Sequence, residues 1–416
     1  MKLSSFFKDN STRKSCRIYS MLKTYGKKRH FSFHTPGHKI GKWDITELSF
    51  SDNLSCPRGC IAKAQEDVAQ ILHARAAFFL TDGSTSGVFS MLYAAKRLGV
   101  KKVALPSRAH KSATNACAVL GLNIRPFSSL EEIENALSQA DALLLVSPDY
   151  YGVIPPLERL QTLCKTQNKL LLIDGAHGGH LHFNSSLYAG SYADMWVDGV
   201  HKSLPALTQG AVVCAKDERC AEVLREGVDI FRTTSPSYPI LASIEYAVKY
   251  PDNLALQKAV RAFAFHERVQ ANEDWTKLIV HFGKHAFTAL QVLEKRGIYA
   301  EFCDGERIVF YLSPATKKRE FSLLKSTLLR LFERYPLETQ PIPAPDIFQR
   351  SGKEEWIDLA LAENRICARE CGLFPPCTPL LVRGEKIQKE KLDLLQKSSN
   401  VYGLYQNKIC VFGEEK

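Results

Sequence analysis

KLLLIDGAHGG, Lys169 to Gly179, is the stretch on which the fold turns. Its unbroken apolar run ends directly in Asp174 and then in a turn of small residues and histidine. An apolar run this short, bounded by turn residues, reads as a strand buried on both faces, as in a parallel sheet covered by helices. The same form recurs in AAFFLTDGSTSG (76–87), VKKVALPSRAHKS (100–112), ALLLVSPDYYG (142–152), DMWVDGVHKS (194–203) and GAVVCAK (210–216). Helix-like segments separate the early ones: Ala62 to Ala74, VFSMLYAAKRLG (88–99) and ATNACAVLG (113–121). The alternation predicts an α/β fold with a mainly parallel sheet. An open α/β sheet binds its ligand outside the carboxyl ends of its strands, so the polar tails are expected to meet in one crevice.

After Tyr250 the pattern changes to amphipathic helices, with one expected from Asp274 to Arg296. The strand-like pieces ERIVFYL (306–312) and KICVFG (408–413) and the proline-rich connector TQPIPAPDIF (339–348) follow. The expected organisation is a basic N-terminal arm (1–30), a large domain (31–265) and a smaller α+β C-terminal domain (266–416). The arm carries many Lys and Arg with Asp9 as its one acid, which reads as a solvated segment rather than a transit peptide.

At 416 residues, 45% hydrophobic and 24% charged, the composition is that of a globular protein with a large core. The formal charge of +11 is spread along the chain rather than massed in one block, so nucleic acid is not an expected partner. No apolar run is long enough to cross a membrane and no signal-peptide core is present, so a cytoplasmic location is expected. The closest cysteine groupings, Cys56/Cys60 and Cys367/Cys371/Cys377, repeat no paired Cys-x-x-Cys spacing. Reduced, mostly buried thiols and no metal are expected.

The strand tails carry the chemistry. Asp174 reads either as a cap for the following turn or as the partner of a buried cation. TDGSTSG (81–87) reads either as an N-cap with a flexible turn or as a phosphate cradle of backbone N–H groups and hydroxyls. Lys202, directly after a buried strand, is costly unless it is paired or chemically used. A lysine, a buried carboxylate and a phosphate cradle at the strand ends of one sheet are the parts that pyridoxal 5'-phosphate requires. The lysine amine forms an imine with the aldehyde, the carboxylate keeps the pyridine nitrogen protonated, and the cradle holds the phosphate.

Further motifs extend this reading: HTPGHKIG (34–41), DITEL (44–48), GSTSG (83–87), SRAHKS (107–112), SPDYYGVIPPL (147–157), DGAHGGH (174–180), HKSLPALTQG (201–210), TTSPSY (233–238) and PPCTPLL (375–381). Together they resemble the Orn/Lys/Arg decarboxylase family, in particular the short arginine/lysine decarboxylases of Gram-positive bacteria. The resemblance implies the PLP-dependent transferase-like fold (fold type I, that of aspartate aminotransferase). It implies decarboxylation of a basic amino acid, arginine or lysine ahead of ornithine, to an amine of polyamine biosynthesis. It also implies a homodimer or higher assembly.

Carried over by motif, Lys202 is the Schiff-base lysine, Asp174 the partner of the ring nitrogen and His110 the imidazole stacked on the cofactor. Gly83, Ser84, Thr85 and His201 lie at the phosphate, Ala176 against the ring, and Ser235 at a neighbouring subunit's phosphate. His34, Thr35, His38, His177 and Glu370 are substrate-side candidates, and Glu47, Asp52, Glu370 and Glu385 are candidates for the substrate's distal cation. Three departures stand out. Gly199-Val200-His201-Lys202 replaces Ser-Thr-His-Lys, Pro375-Pro376-Cys377-Thr378-Pro379 replaces Pro-Pro-Gly-Ile-Pro, and Arg369 with Glu370 stands where an acid is expected. Two alternatives follow: an aminotransferase with Arg365 or Arg369 as carboxylate clamp, or a catalytically impaired regulatory homologue.

Overall fold

The computed structural model describes residues 6–39, 42–337, 352–373, 379–398 and 401–413. The connector 339–348 and Pro375 to Thr378, including Cys377, lie outside the described residues. The apolar runs form one seven-stranded sheet from β1 (Ala76–Leu80), β2 (Lys102–Pro106), β3 (Asn123–Phe127), β4 (Ala142–Val146), β5 (Leu170–Gly175), β6 (Met195–Asp198) and β7 (Ala211–Ala215). Their order is β1-β7-β6-β5-β4-β2-β3. Strands β2 to β6 pair in parallel. β7 runs antiparallel to both β6 and β1, so β1 points the same way as β6. The carboxyl ends of β1 to β6 therefore share one edge with the start of β7.

Period-two alternation divides these strands between two apolar cores. Phe79, Leu143, Leu145, Leu171 and Ile173 face one. Phe78, Leu80, Leu144 and Leu172 face the other, against helices Ser84–Arg97, Lys111–Leu120 and Glu218–Phe231. Each such fully buried side chain contributes roughly 1.5–3 kcal/mol. The edge strand β3, NIRPF, escapes a reading based on apolar runs because Arg125 and Pro126 interrupt it. An edge position tolerates both.

The N-terminal segment is not a solvated arm. Helix Asn10–Ser15 leads into helix Arg17–Lys27, which packs against helices Cys60–Ile71 and Tyr238–Val248, with Ile18, Tyr19 and Leu22 in the core. The spacing of these three residues makes one apolar helical face, and the basic residues lie mostly on the other side. Fully buried Glu245 accepts the backbone N–H groups of Arg17 and Ile18 at 2.7 and 2.9 Å, which fixes that helix start.

The expected helix from Asp274 to Arg296 is two elements. Lys277–His281 is a strand, β9, and the helix spans only Ala286–Lys295. The run Leu278-Ile279-Val280 is buried on both sides and pairs with the strand Arg307–Tyr311, which selects strand over helix. Gly283, at φ +54, marks the break between the two. A four-stranded sheet, β10-β11-β9-β8, combines β9 with β8 (Val269–Gln270), β10 (Phe302–Cys303) and β11 (Arg307–Tyr311). Its core includes helices Leu254–Phe263, Ala286–Lys295 and Lys318–Arg334. Past the connector, two small three-stranded sheets and helix Lys389–Lys397 enclose an apolar cluster separate from that of the four-stranded sheet. Among the described residues, no helix is long and apolar enough to cross a membrane.

Candidate active site

The shared strand edge opens on a cavity of about 1080 Å³. Behind β1 the chain turns at Gly83, whose φ of +88 only glycine adopts readily, and starts helix Ser84–Arg97. Gly83, Ser84 and Thr85 line the cavity there. Behind β2, His110 caps helix Lys111–Leu120: Ser112 N donates to its Nδ1 at 3.2 Å. Burial, helped by Lys202 and Lys111 and opposed by Asp174, lowers the His110 pKa.

β5 delivers Asp174, buried and lining the cavity, with Oδ1 accepting from Ala176 N at 3.1 Å. The neighbouring strand β6 ends in a second carboxylate, Asp198, with a different fate. Tyr188 donates to Asp198 Oδ2 at 2.6 Å and Trp196 Nε1 donates to Tyr188 Oη at 2.9 Å, all within the core. Burial pushes Asp198 up to about 7, whereas Asp174 alone of the two faces the cavity.

β6 leads to the short helix Val200–Ser203 and so to Lys202. Its Nζ lies 3.1 Å from His177 Nε2 and 6.0 Å from the centroid of the Tyr150 ring. His177 stacks obliquely on Tyr150 at 4.4 Å and edge-on to Tyr311 at 5.5 Å. Full burial, with Lys202 and Lys277 nearby, drives the His177 pKa well below its ordinary value, so the ring is neutral. His201 also lines the cavity, with Nδ1 bonded to the Gly210 carbonyl at 2.8 Å.

Gly199, the departure beside Lys202, has a steric cause. A Cβ there would lie 2.6 Å from the Ala176 carbonyl oxygen and 3.3 Å from Ser84 Oγ. The backbones behind β5 and β6 meet where a hydroxyl-bearing side chain would have to stand. Gly199→Ser is expected to lower the stability of the cofactor-free protein by about 1–3 kcal/mol, read as a fall in the thermal unfolding midpoint. An unchanged midpoint would show that this contact yields freely.

The structure thus gathers Gly83, Ser84, Thr85, His110, Asp174, Ala176, His177, His201 and Lys202 around one space. Other candidates lie outside that lining. His34 approaches Tyr25 Oη at 3.4 Å and His38 pairs with Asp44 at 2.9 Å, both in a small separate surface hollow. Ser235 is exposed, and Glu370 is partly buried with its pKa raised by burial. Asp52 is committed to capping: its carboxylate accepts the backbone N–H groups of Arg58, Gly59 and Ile61 at the start of helix Cys60–Ile71. Glu47 accepts from the neighbouring Thr46 hydroxyl. Glu385, fully buried, is held by Lys391, by Val382 N at 3.0 Å and by Arg108 at 3.7 Å. The two arginines of the transaminase alternative are engaged elsewhere, Arg365 with Glu355 and Arg369 with Glu354.

Three cavity residues were not singled out in the sequence, although Tyr151 lies within the motif SPDYYGVIPPL. Tyr151 donates to Asp304 at 2.9 Å, and Arg307 both pairs with Asp304 at 2.7 Å and lies 4.2 Å above the Tyr151 ring. Their approach depends on the second sheet docking against the first, which local pattern does not report. Thr208 and Gln209 also line the cavity and belong to the motif HKSLPALTQG, whose length was the available signal.

Pyridoxal 5'-phosphate fits this residue set. The amine of Lys202 suits its aldehyde, the Asp174 carboxylate suits its ring nitrogen, and the helix start at Gly83 to Thr85 suits a phosphate dianion. The cavity volume is ample for both cofactor and amino acid.

Residues 125–279 match a family model described as Orn/Lys/Arg decarboxylase, major domain. An uncharacterized protein of Bacillus subtilis (strain 168), YaaO, is 26% identical over 96% of this chain and 99% of its own. An arginine decarboxylase of Halalkalibacterium halodurans is 26% identical over 92% of this chain and 93% of its own. Among solved structures, the constitutive lysine decarboxylase of Escherichia coli superposes with a TM-score of 0.68 at 18% identity, covering 96% of this chain and 82% of that one.

Proposed function

We propose that the chain, whose residues 125–279 match the Orn/Lys/Arg decarboxylase major-domain model, is a pyridoxal-phosphate-dependent decarboxylase of a basic amino acid. Arginine or lysine stands ahead of ornithine as substrate, and the product is the corresponding amine of polyamine biosynthesis. A cytoplasmic assembly of at least two copies completes the reading. One observation carries it: adjacent strands β5 and β6 present Asp174 and Lys202 to the cavity that the helix start at Ser84 also lines.

When bound, the cofactor supplies an electron sink for the pair left behind as carbon dioxide departs. The chain's own residues do the rest. Lys202 supplies the amine that holds the cofactor and, once displaced by the substrate amine, is placed to return a proton to Cα. His177, neutral and 3.1 Å away, can accept a hydrogen bond from Lys202 Nζ and so orient that amine in the cavity. Asp174 holds the ring nitrogen's proton, and His110 limits the ring's tilt. Asp149 and Asp304 also line the cavity, but the backbone N–H groups of Tyr151 and Val153 hold the first and Tyr151 and Arg307 hold the second.

The test is a panel of arginine, lysine and ornithine incubated with protein and cofactor, with carbon dioxide measured against keto acid. Carbon dioxide and a diamine or agmatine from one or two of the three is the expected result. Keto acid without carbon dioxide would establish transamination instead. A visible cofactor band with no turnover would favour the regulatory homologue.

A further inference from the structure

The turn Asn272 to Lys277, which leads into β9, holds a buried polar network to which the reaction above gives no task. Asp274 is fully buried and bonds His180 Nε2 at 2.8 Å through Oδ1. Its other oxygen lies 3.0 Å from Nζ of Lys277, itself buried. The Thr276 hydroxyl donates to Asp274 Oδ1 at 2.6 Å, and Lys277 Nζ donates to that hydroxyl at 2.9 Å. The same ammonium donates to the carbonyl oxygen of His177 at 3.3 Å and sits 4.8 Å above the Tyr311 ring. Taking charges out of water is costly, and apolar residues of equal volume commonly fill such a space at least as well. A retained buried pair therefore asks for a use.

Its contacts indicate one. The network grips the loop behind β5 through the His177 carbonyl and His180, and the same turn grips the loop behind β4, where Asn272 donates to the Tyr151 carbonyl. A side chain at Gly152 would strike the Lys277 stem at 2.9 Å, and Tyr311 Oη donates to the Tyr150 carbonyl at 2.9 Å. The groups facing His177 are accordingly Lys202, Lys277, Asp274 and His110, with the rings of Tyr150 and Tyr311. Of these, Asp274, Lys277 and Tyr311 come from the second sheet or the turn leading into it, far from Lys202 in sequence.

We infer that Asp274 and Lys277 are positioning residues, which lock the His177 loop from the second sheet and so set the contact between His177 and the Lys202 amine. The inference rests on Lys202 being the cofactor lysine. Neither residue touches the reacting atoms; a displacement of about 1 Å at such a contact can cost on the order of 10²-fold in rate.

The experiment compares wild type, Lys277→Met, Lys277→Arg and Asp274→Asn, each loaded with pyridoxal phosphate. It reads the pH midpoint of the cofactor's visible absorption, kcat and KM. Lys277→Met is expected to lower kcat by about tenfold or more with KM within about threefold. Losing a cation favours the protonated form of the lysine-bound cofactor, so the midpoint should rise. Asp274→Asn removes the opposing anion, so its midpoint should fall while kcat also falls. Lys277→Arg, which restores the cation, should recover most of the Lys277→Met midpoint shift. If Lys277→Met does not fold, the sign of the Asp274→Asn shift decides. Wild-type midpoints in the variants, or identical losses in Lys277→Met and Lys277→Arg, would overturn the inference and leave the functional reading intact. A wild type that develops no visible band overturns both.

Discussion

Lys202→Ala is expected to lose the visible band that wild-type protein develops with pyridoxal phosphate, and to lose at least about 10³-fold in kcat/KM, some 4 kcal/mol of transition-state stabilisation. Two separate roles end with the one amine. The covalent hold on the cofactor disappears, and so does the group placed to return a proton to Cα. Residual binding should persist, because the helix start at Ser84 and the Asp174 carboxylate remain. Folding should be little disturbed, with His177 Nε2 losing one hydrogen bond at 3.1 Å. Absorbance titration with cofactor, followed by steady-state kinetics on the amino acid that wild type prefers, checks both parts. Retention of the band together with activity within about tenfold of wild type would remove Lys202 from the mechanism.

The site was legible in the sequence where chemistry sits at the end of a buried strand. Asp174, Lys202 and the Gly83-Ser84-Thr85 turn each interrupt an apolar run, and an interruption of that kind needs a reason. His177 stood out less, because a histidine in a turn commonly has no further role. The misreadings have physical causes as well. The segment 274–296 contains enough spaced apolar residues to imitate a helix, while the strand Lys277–His281 is selected by pairing with β11, more than twenty residues on. The acidic candidates Asp52 and Glu385 were indistinguishable in sequence from free carboxylates. Backbone N–H groups consume the first, and Lys391 and Arg108 hold the second, through contacts that only the fold creates. Gly199 shows the reverse case. It reads as a missing ligand in sequence, yet the closeness of the Ala176 carbonyl makes glycine the residue that this crossing demands.

Asp174→Asn should separate catalysis from folding by moving them in different directions. The amide matches the carboxylate in size, and its oxygen can still accept from Ala176 N, the 3.1 Å bond that orients the side chain. What disappears is the charge. Without it the ring nitrogen has no anionic partner, the cofactor takes up the electron pair less readily, and kcat is expected to fall by about 10²–10⁴-fold, the range typical of removing a positioned acid–base group. KM should change little, since the phosphate cradle at Ser84 and Thr85 is untouched. In the cofactor-free protein the same substitution relieves a buried carboxylate, so stability should stay level or rise, within about 1 kcal/mol. His110 offers an independent readout. Asp174 raises the His110 pKa against the effect of burial, so removing the anion should lower that pKa further and keep the imidazole neutral to more acidic pH. Thermal unfolding, NMR titration of His110 and kinetics on the loaded enzyme read the three effects separately. A variant with wild-type kcat, or one whose lost activity tracks lost folding, would return Asp174 to the role of a turn cap.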